Sequence, residues 1–107
     1  VPGAGPKYDR GVELAFEAEV VEWRGPAPYV YAVVPDDVAD LVHELASELT
    51  YGWGVVPAGV AIGRVRWTTS LFPKDGGYLV PLRKAERTRT GVGPGDTVHL
   101  TLTLGAP

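Results

Sequence analysis

The chain has 107 residues, a formal net charge of −3, 14 glycines, 10 prolines, and neither cysteine nor methionine. One domain is the expectation for that length, burying roughly 65% of its unfolded surface around a single core. The lack of cysteine excludes disulfides, thiolate zinc sites, iron–sulfur clusters and cysteine nucleophiles, and a 45% hydrophobic, 21% charged composition excludes a disordered chain.

Residues 1–11 are rich in glycine and proline and are expected to form a flexible arm, leaving 12–105 as one β-barrel domain. Leu14, Phe16, Ala18 and Val20 alternate with Ala15, Glu17 and Glu19, the period of a strand with one face in the core. The phase slips at Val20-Val21, after which Val21 and Trp23 read as the buried pair, as a bulge or a sharply twisted strand would produce. Gly25-Pro26 breaks this strand, and residues 29–34 read as its partner. Pro35-Asp36-Asp37 opens a helix over about 36–50, where proline fits the first turn and carboxylates face the positive end of the dipole. Val38, Leu41, Val42, Leu45 and Leu49 form its expected buried stripe, and Gly52 and Gly54 end it.

Residues 55–62 and 65–72 read as strands joined at Gly63-Arg64, a two-residue turn with glycine in its first central position. A looser hairpin over 73–77 leads into a strand at 78–82, where Pro81 must sit at an edge, a bulge or a strand end. Residues 83–90 read as a short helix and 91–96 as a turn-rich link. In the last strand Val98, Leu100, Leu102 and Leu104 point inward, and Thr97, His99, Thr101 and Thr103 outward. No internal repeat is visible in the sequence. Six or seven strands with one amphipathic helix and one short helical segment predict a mainly-β fold, a small, strongly curved β-barrel.

Chemistry-bearing motifs are scarce. The two histidines, His43 on the acidic helix and His99 on an outward strand face, adjoin no nucleophile elbow and have no His-x-x-x-His spacing. Asp36, Asp37 and Asp40 lack calcium-loop spacing and read as a solvated helix start. The link Gly91-Val92-Gly93-Pro94-Gly95-Asp96 leads into a strand through an aspartate, where a phosphate loop would place Gly-Lys-Ser/Thr before a helix. Glu17 and Glu19 share a strand face and read as outward polar groups. No catalytic residue, metal or cofactor is therefore assigned.

The stretch from Arg64 to Phe72 stands apart. Val65, Trp67, Thr69 and Leu71 share one side and Arg66, Thr68, Ser70 and Phe72 the other, so both faces mix apolar and hydroxyl groups. Such a strand would line a ligand groove or pack its second face on a loop. Arg83, Lys84, Arg87 and Arg89 form the one basic cluster, within a second half (54–107) whose balance is +4 against −7 for residues 1–53.

Several segments together resemble the bacterial DUF1905 family of small barrels, a domain of unknown function found beside YdeI-type proteins. They are Glu22-Trp23, the helix start at 34–38, 52–57, Ile62-Gly63, Trp67-Thr68-Thr69-Ser70-Leu71-Phe72-Pro73, the strand at 77–82, Arg87 and Gly95-Asp96-Thr97-Val98. The resemblance spans about residues 14–104 and implies a double-split barrel akin to AbrB- and MazE-like proteins, with no established activity.

Three functions compete. The first is a non-catalytic binding module for a small anionic ligand or a protein partner, with Trp67, Thr69, Ser70, Phe72, Tyr78 and Arg87 as its site. The second is an AbrB-like nucleic-acid binder, disfavoured by the net charge of −3 unless a homodimer pools the basic segment. The third is an enzyme built around Ser70 and Arg87, for which no supporting constellation exists. A monomer or homodimer in the cytoplasm, without a membrane segment of ~18 apolar residues, completes the expectation.

Overall fold

The computed structural model describes residues 12–26, 29–48 and 56–105. Their elements run in the order β1 (Val12–Trp23), β2 (Tyr29–Val33), α1 (Asp36–Glu48), β3 (Val56–Ile62), β4 (Val65–Lys74), β5 (Gly77–Leu82), α2 (Lys84–Thr90) and β6 (Thr97–Leu104). The expected arm at 1–11, and Leu49, Gly52, Gly54 and Val55, lie outside the described residues.

Alternation builds the core. One side of each strand carries the apolar set, including Phe16, Ala18 and Val20 of β1, Val56, Ala58 and Val60 of β3, and Leu100, Leu102 and Leu104 of β6. The six strands satisfy these faces by closing into a barrel in the order β1-β2-β5-β4-β3-β6, with every pairing antiparallel. Each of Leu100, Leu102 and Leu104 is 0% exposed, and burying a leucine side chain contributes about 1.5–3 kcal/mol. The mainly-β barrel with two helices is the fold predicted from the sequence.

Two long strands change partners along their length. β1 pairs β6 through Val12–Glu19 and β2 through Val20–Trp23. β4 pairs β3 through Val65–Leu71 and β5 through Phe72–Lys74. The halves β1-β2-α1-β3 and β4-β5-α2-β6 therefore follow the same course, each with a hairpin, a helix and a strand that returns to the other half. No internal repeat in the sequence accompanies this repeat of connectivity.

Three local expectations are corrected. β1 keeps its alternation through Val20 with no slip in its pairing, so Trp23 points outward, 44% exposed, with its ring centroid 5.8 Å from that of Tyr29. At the switch Val20 donates its N–H to the Asp96 carbonyl at 2.8 Å and accepts from the Gly95 N–H at 2.9 Å, so the extra residue stands on the segment leading into β6, where Gly95 takes a φ of 94°. The loose hairpin at 73–77 tightens to Asp75-Gly76, because β4 runs on to Lys74. Both turn residues take positive φ, 52° and 80°, which is the Asp-Gly signature of a two-residue hairpin whose twist matches its strands.

The third correction concerns α1. Its buried line is Ala39, Val42 and Ala46, with Val38 and Leu45 at the flanks, while Leu41 is 47% exposed. Small alanines let the helix axis approach the barrel closely beside β5, and this rotates the buried face away from Leu41.

Candidate functional site

The site begins with a fault in the sheet. Val34 donates its backbone N–H to the Tyr78 carbonyl at 3.1 Å, just beyond the end of β2. In an antiparallel ladder, bonded and non-bonded pairs alternate. Val34 and Tyr78 form a bonded pair, so the pairs Ala32–Val80 and Val30–Leu82 are bonded and Tyr31–Pro81 is not. The main chain of Pro81 accordingly faces β4 rather than β2. Proline has no N–H to offer there, and the β4–β5 ladder ends two residues earlier, at Phe72–Leu79.

Beyond that point β4 has ladder partners only in β3. Leu79 and Phe72 face each other, so the alternation also turns the main chains of Ser70 and Thr68 toward β5. Among the described residues these two have no ladder partner on that side. A seam is left open between Thr68–Ser70 on one strand and Pro81 on the other.

A trough of about 730 Å³ lies over this seam. Its floor is the outer face of β4, β3 and β6. Thr68 pairs with Gly59, and Gly59 with Thr103, so two hydroxyl residues flank a position with no side chain. Ser70 and Pro57 form the next row. Phe72, Pro81 and Arg83 complete the walls. A second concavity of about 340 Å³, largely apolar, continues past Phe72 and Pro81 toward Tyr29 and Val30 of β2. Phe72 and Tyr29 are 47% and 43% exposed, so the rim between the two is aromatic.

Among the described residues Arg83 is the one charged residue that lines the trough. Its backbone N–H donates to the Glu86 carboxylate at 3.3 Å, and its guanidinium has no ion-pair partner among the described residues. The site is thus a hydroxyl-rich floor with an available cation at its edge.

The sequence-predicted residues divide into two groups. Thr69, Ser70 and Phe72 line the trough. Trp67, Tyr78 and Arg87 stand elsewhere. Trp67 packs against the core from the inner face of β4, with its Nε1 buried and unpartnered among the described residues. Tyr78 is also inward, 6% exposed, with its hydroxyl 3.5 Å from Nδ1 of His43 on α1. Arg87 turns back past the start of α2 and donates Nε–H to the Leu82 carbonyl at the end of β5, at 3.2 Å.

Sequence reasoning did not select Thr68, Gly59, Thr103, Pro57, Pro81 or Arg83 for the site. Pro57 and Pro81 were the available signal, since a proline within a strand marks an edge that cannot be laddered.

Among the described residues neither a carboxylate nor a histidine lines the trough. The His99 and Glu17 side chains meet at 2.6 Å on the exposed outer face of β6 and β1, and neither is a trough residue. Among the described residues no three metal-ligating side chains gather, and no helix is long and apolar enough to cross a membrane.

No curated protein matches the chain. A family model does, over residues 16–102, which takes in most of β1, the whole of β2 through α2 in sequence, and β6 as far as Leu102. The motif Trp67–Pro73 that carried the resemblance forms the strand at the edge of the seam, and the chain belongs to the DUF1905 family, a domain of unknown function.

Proposed function

We propose that residues 12–105 act as a single non-catalytic binding domain that takes a carboxylate-bearing ligand in the trough between β4 and β5. The observation that carries this reading is the meeting of the Arg83 guanidinium, which has no ion-pair partner among the described residues, with the hydroxyls of Thr68, Ser70 and Thr103 around the side-chain-free Gly59. Arginine and hydroxyl donors match the acceptor geometry of a carboxylate. Phe72, Pro57 and Pro81 supply apolar walls for the rest of the ligand. Among the described residues no carboxylate or histidine lines the trough to activate its hydroxyls, which favours binding over catalysis.

Phosphate backbones of nucleic acid need concentrated positive charge, whereas Asp36, Asp37, Asp40 and Glu44 stand exposed along α1. We further propose a cytoplasmic setting, with which a sequence free of disulfides agrees.

The test is a two-dimensional 1H–15N NMR titration of the full chain with succinate. Shifts confined to Thr68, Ser70, Gly59 and Thr103 are expected, with binding about tenfold weaker in Arg83→Gln. Shifts that avoid the trough, or an affinity that Arg83→Gln leaves unchanged, would overturn the reading.

A further inference from the structure

The trough is more than a concavity with a cation, because part of its wall is main chain. Thr68 and Ser70 turn their N–H and C=O groups into the seam, and β4 has no ladder partner there among the described residues. Pro81 stands opposite and lacks the donor that would close it. α2 packs beside β4, yet no α2 residue lines the trough. An unladdered strand edge beside a groove is the geometry that accepts an extended peptide as an added strand, with main-chain bonds giving affinity and alternate side chains giving specificity.

The charge at the edge selects the peptide. Arg83 borders the seam, and Arg66 is exposed two residues before Thr68 on the same outer face of β4. Neither has an ion-pair partner among the described residues. Two cations along one edge complement carboxylates at alternate positions of an extended chain, since successive outward side chains recur every second residue. The apolar concavity past Phe72, with Tyr29 and Leu82, would hold an aliphatic side chain at the peptide's end.

We infer that the partner of this domain is an acidic, extended peptide segment of another protein, which adds as a strand to β4 at Thr68–Ser70. This rests on the binding role proposed above and names the ligand's class: the carboxylate is a peptide side chain, and the larger share of recognition is main chain.

The experiment uses the full chain with three synthetic octapeptides: alternating glutamate and valine, alternating lysine and valine, and a block arrangement of the glutamate–valine composition. In the free protein the Thr68 and Ser70 amides are expected to exchange faster than those of Trp67, Thr69 and Leu71, which face β3. The alternating glutamate–valine peptide is expected to bind and to slow exchange at Thr68 and Ser70 by about tenfold or more. The lysine–valine and block peptides should bind about tenfold more weakly. Ser70→Pro, which removes an edge N–H along with the hydroxyl, should weaken peptide binding about tenfold more than Ser70→Ala, which removes the hydroxyl alone. Should Ser70→Pro fail to fold, N-methylation of alternate peptide amides replaces it: one methylated set abolishes binding and the other preserves it.

The inference is overturned by slow exchange of Thr68 and Ser70 in the free protein, by indifference to the methylated set, or by no peptide binding. If succinate shifts the trough while peptides do not bind, only strand addition falls. If neither binds, the binding role falls with it.

Discussion

The 3.1 Å bond from the Val34 N–H to the Tyr78 carbonyl decides which edge of β5 meets β2 and which meets β4. By the alternation of an antiparallel ladder it points Pro81 at β4. A residue without a donor then stands where the barrel would otherwise continue to zip, and the trough follows from that missing bond.

Pro81→Val tests the origin of the seam. A restored donor contributes about 0.5–1 kcal/mol, while loss of proline's restriction of the unfolded chain costs about 0.4–1 kcal/mol. Net stability in urea denaturation should therefore stay within about 0.5 kcal/mol of the parent. Amide exchange separates the two effects: Ser70 should slow by about tenfold as the ladder extends, and succinate should bind more weakly. An unchanged Ser70 rate would show that Pro81 is not what holds the seam open.

Gly59→Ala tests the floor of the trough. A Cβ there would lie 3.5 Å from the Thr103 Cβ, an ordinary contact, so the fold accommodates it. Replacing a strand glycine should raise stability by about 0.5 kcal/mol through the unfolded state. The added methyl fills the dip between Thr68 and Thr103, and the expected result is weaker succinate binding in a protein at least as stable, read by calorimetry and thermal melting.

The orientation of α1 predicts opposite outcomes for two neighbouring residues. Val42 is 0% exposed and Leu41 is 47% exposed. Val42→Ala should cost about 2 kcal/mol, and Leu41→Ala should stay within about 0.5 kcal/mol. Urea midpoints that moved more for Leu41→Ala would restore the face expected from spacing alone.

Trp67 carries a buried Nε1–H with no partner among the described residues. Trp67→Phe removes that unsatisfied donor along with part of the ring, so the two effects oppose and the cost should be under about 1 kcal/mol. Trp67→Ala leaves a cavity beside Val60 and Leu102 and should cost about 3 kcal/mol. Succinate affinity should be unaffected in Trp67→Phe, since Trp67 packs on the core and is not a wall of the trough.

How far the site was legible depends on what each residue signals locally. Thr69, Ser70 and Phe72 drew notice because their strand has no plainly polar face, and all three reach the trough. Trp67 and Tyr78 drew notice as large aromatics near them, but strand parity sends both inward, where size serves the core. Arg87 belonged to a basic cluster, and its guanidinium is turned back to a carbonyl at the end of β5. Arg83 of the same cluster ends on the rim, and nothing in the spacing of the four cations distinguishes one from another.

The sequence by itself determined the elements, the inward set of most strands, the barrel class and the family motif. Period-two alternation, turn glycines and the helix-opening Pro35-Asp36-Asp37 are local signals, and local sterics and burial suffice to read them. Only the tertiary structure decided which strands meet. The pairing of Glu17 with His99, the switch of β4 from β3 to β5, and the face α1 turns to the barrel join residues far apart in the chain. A strand's period says which side is apolar and nothing about which edge finds a partner. The trough is a property of an edge, so it became visible only when the ladder phase placed Pro81 against β4.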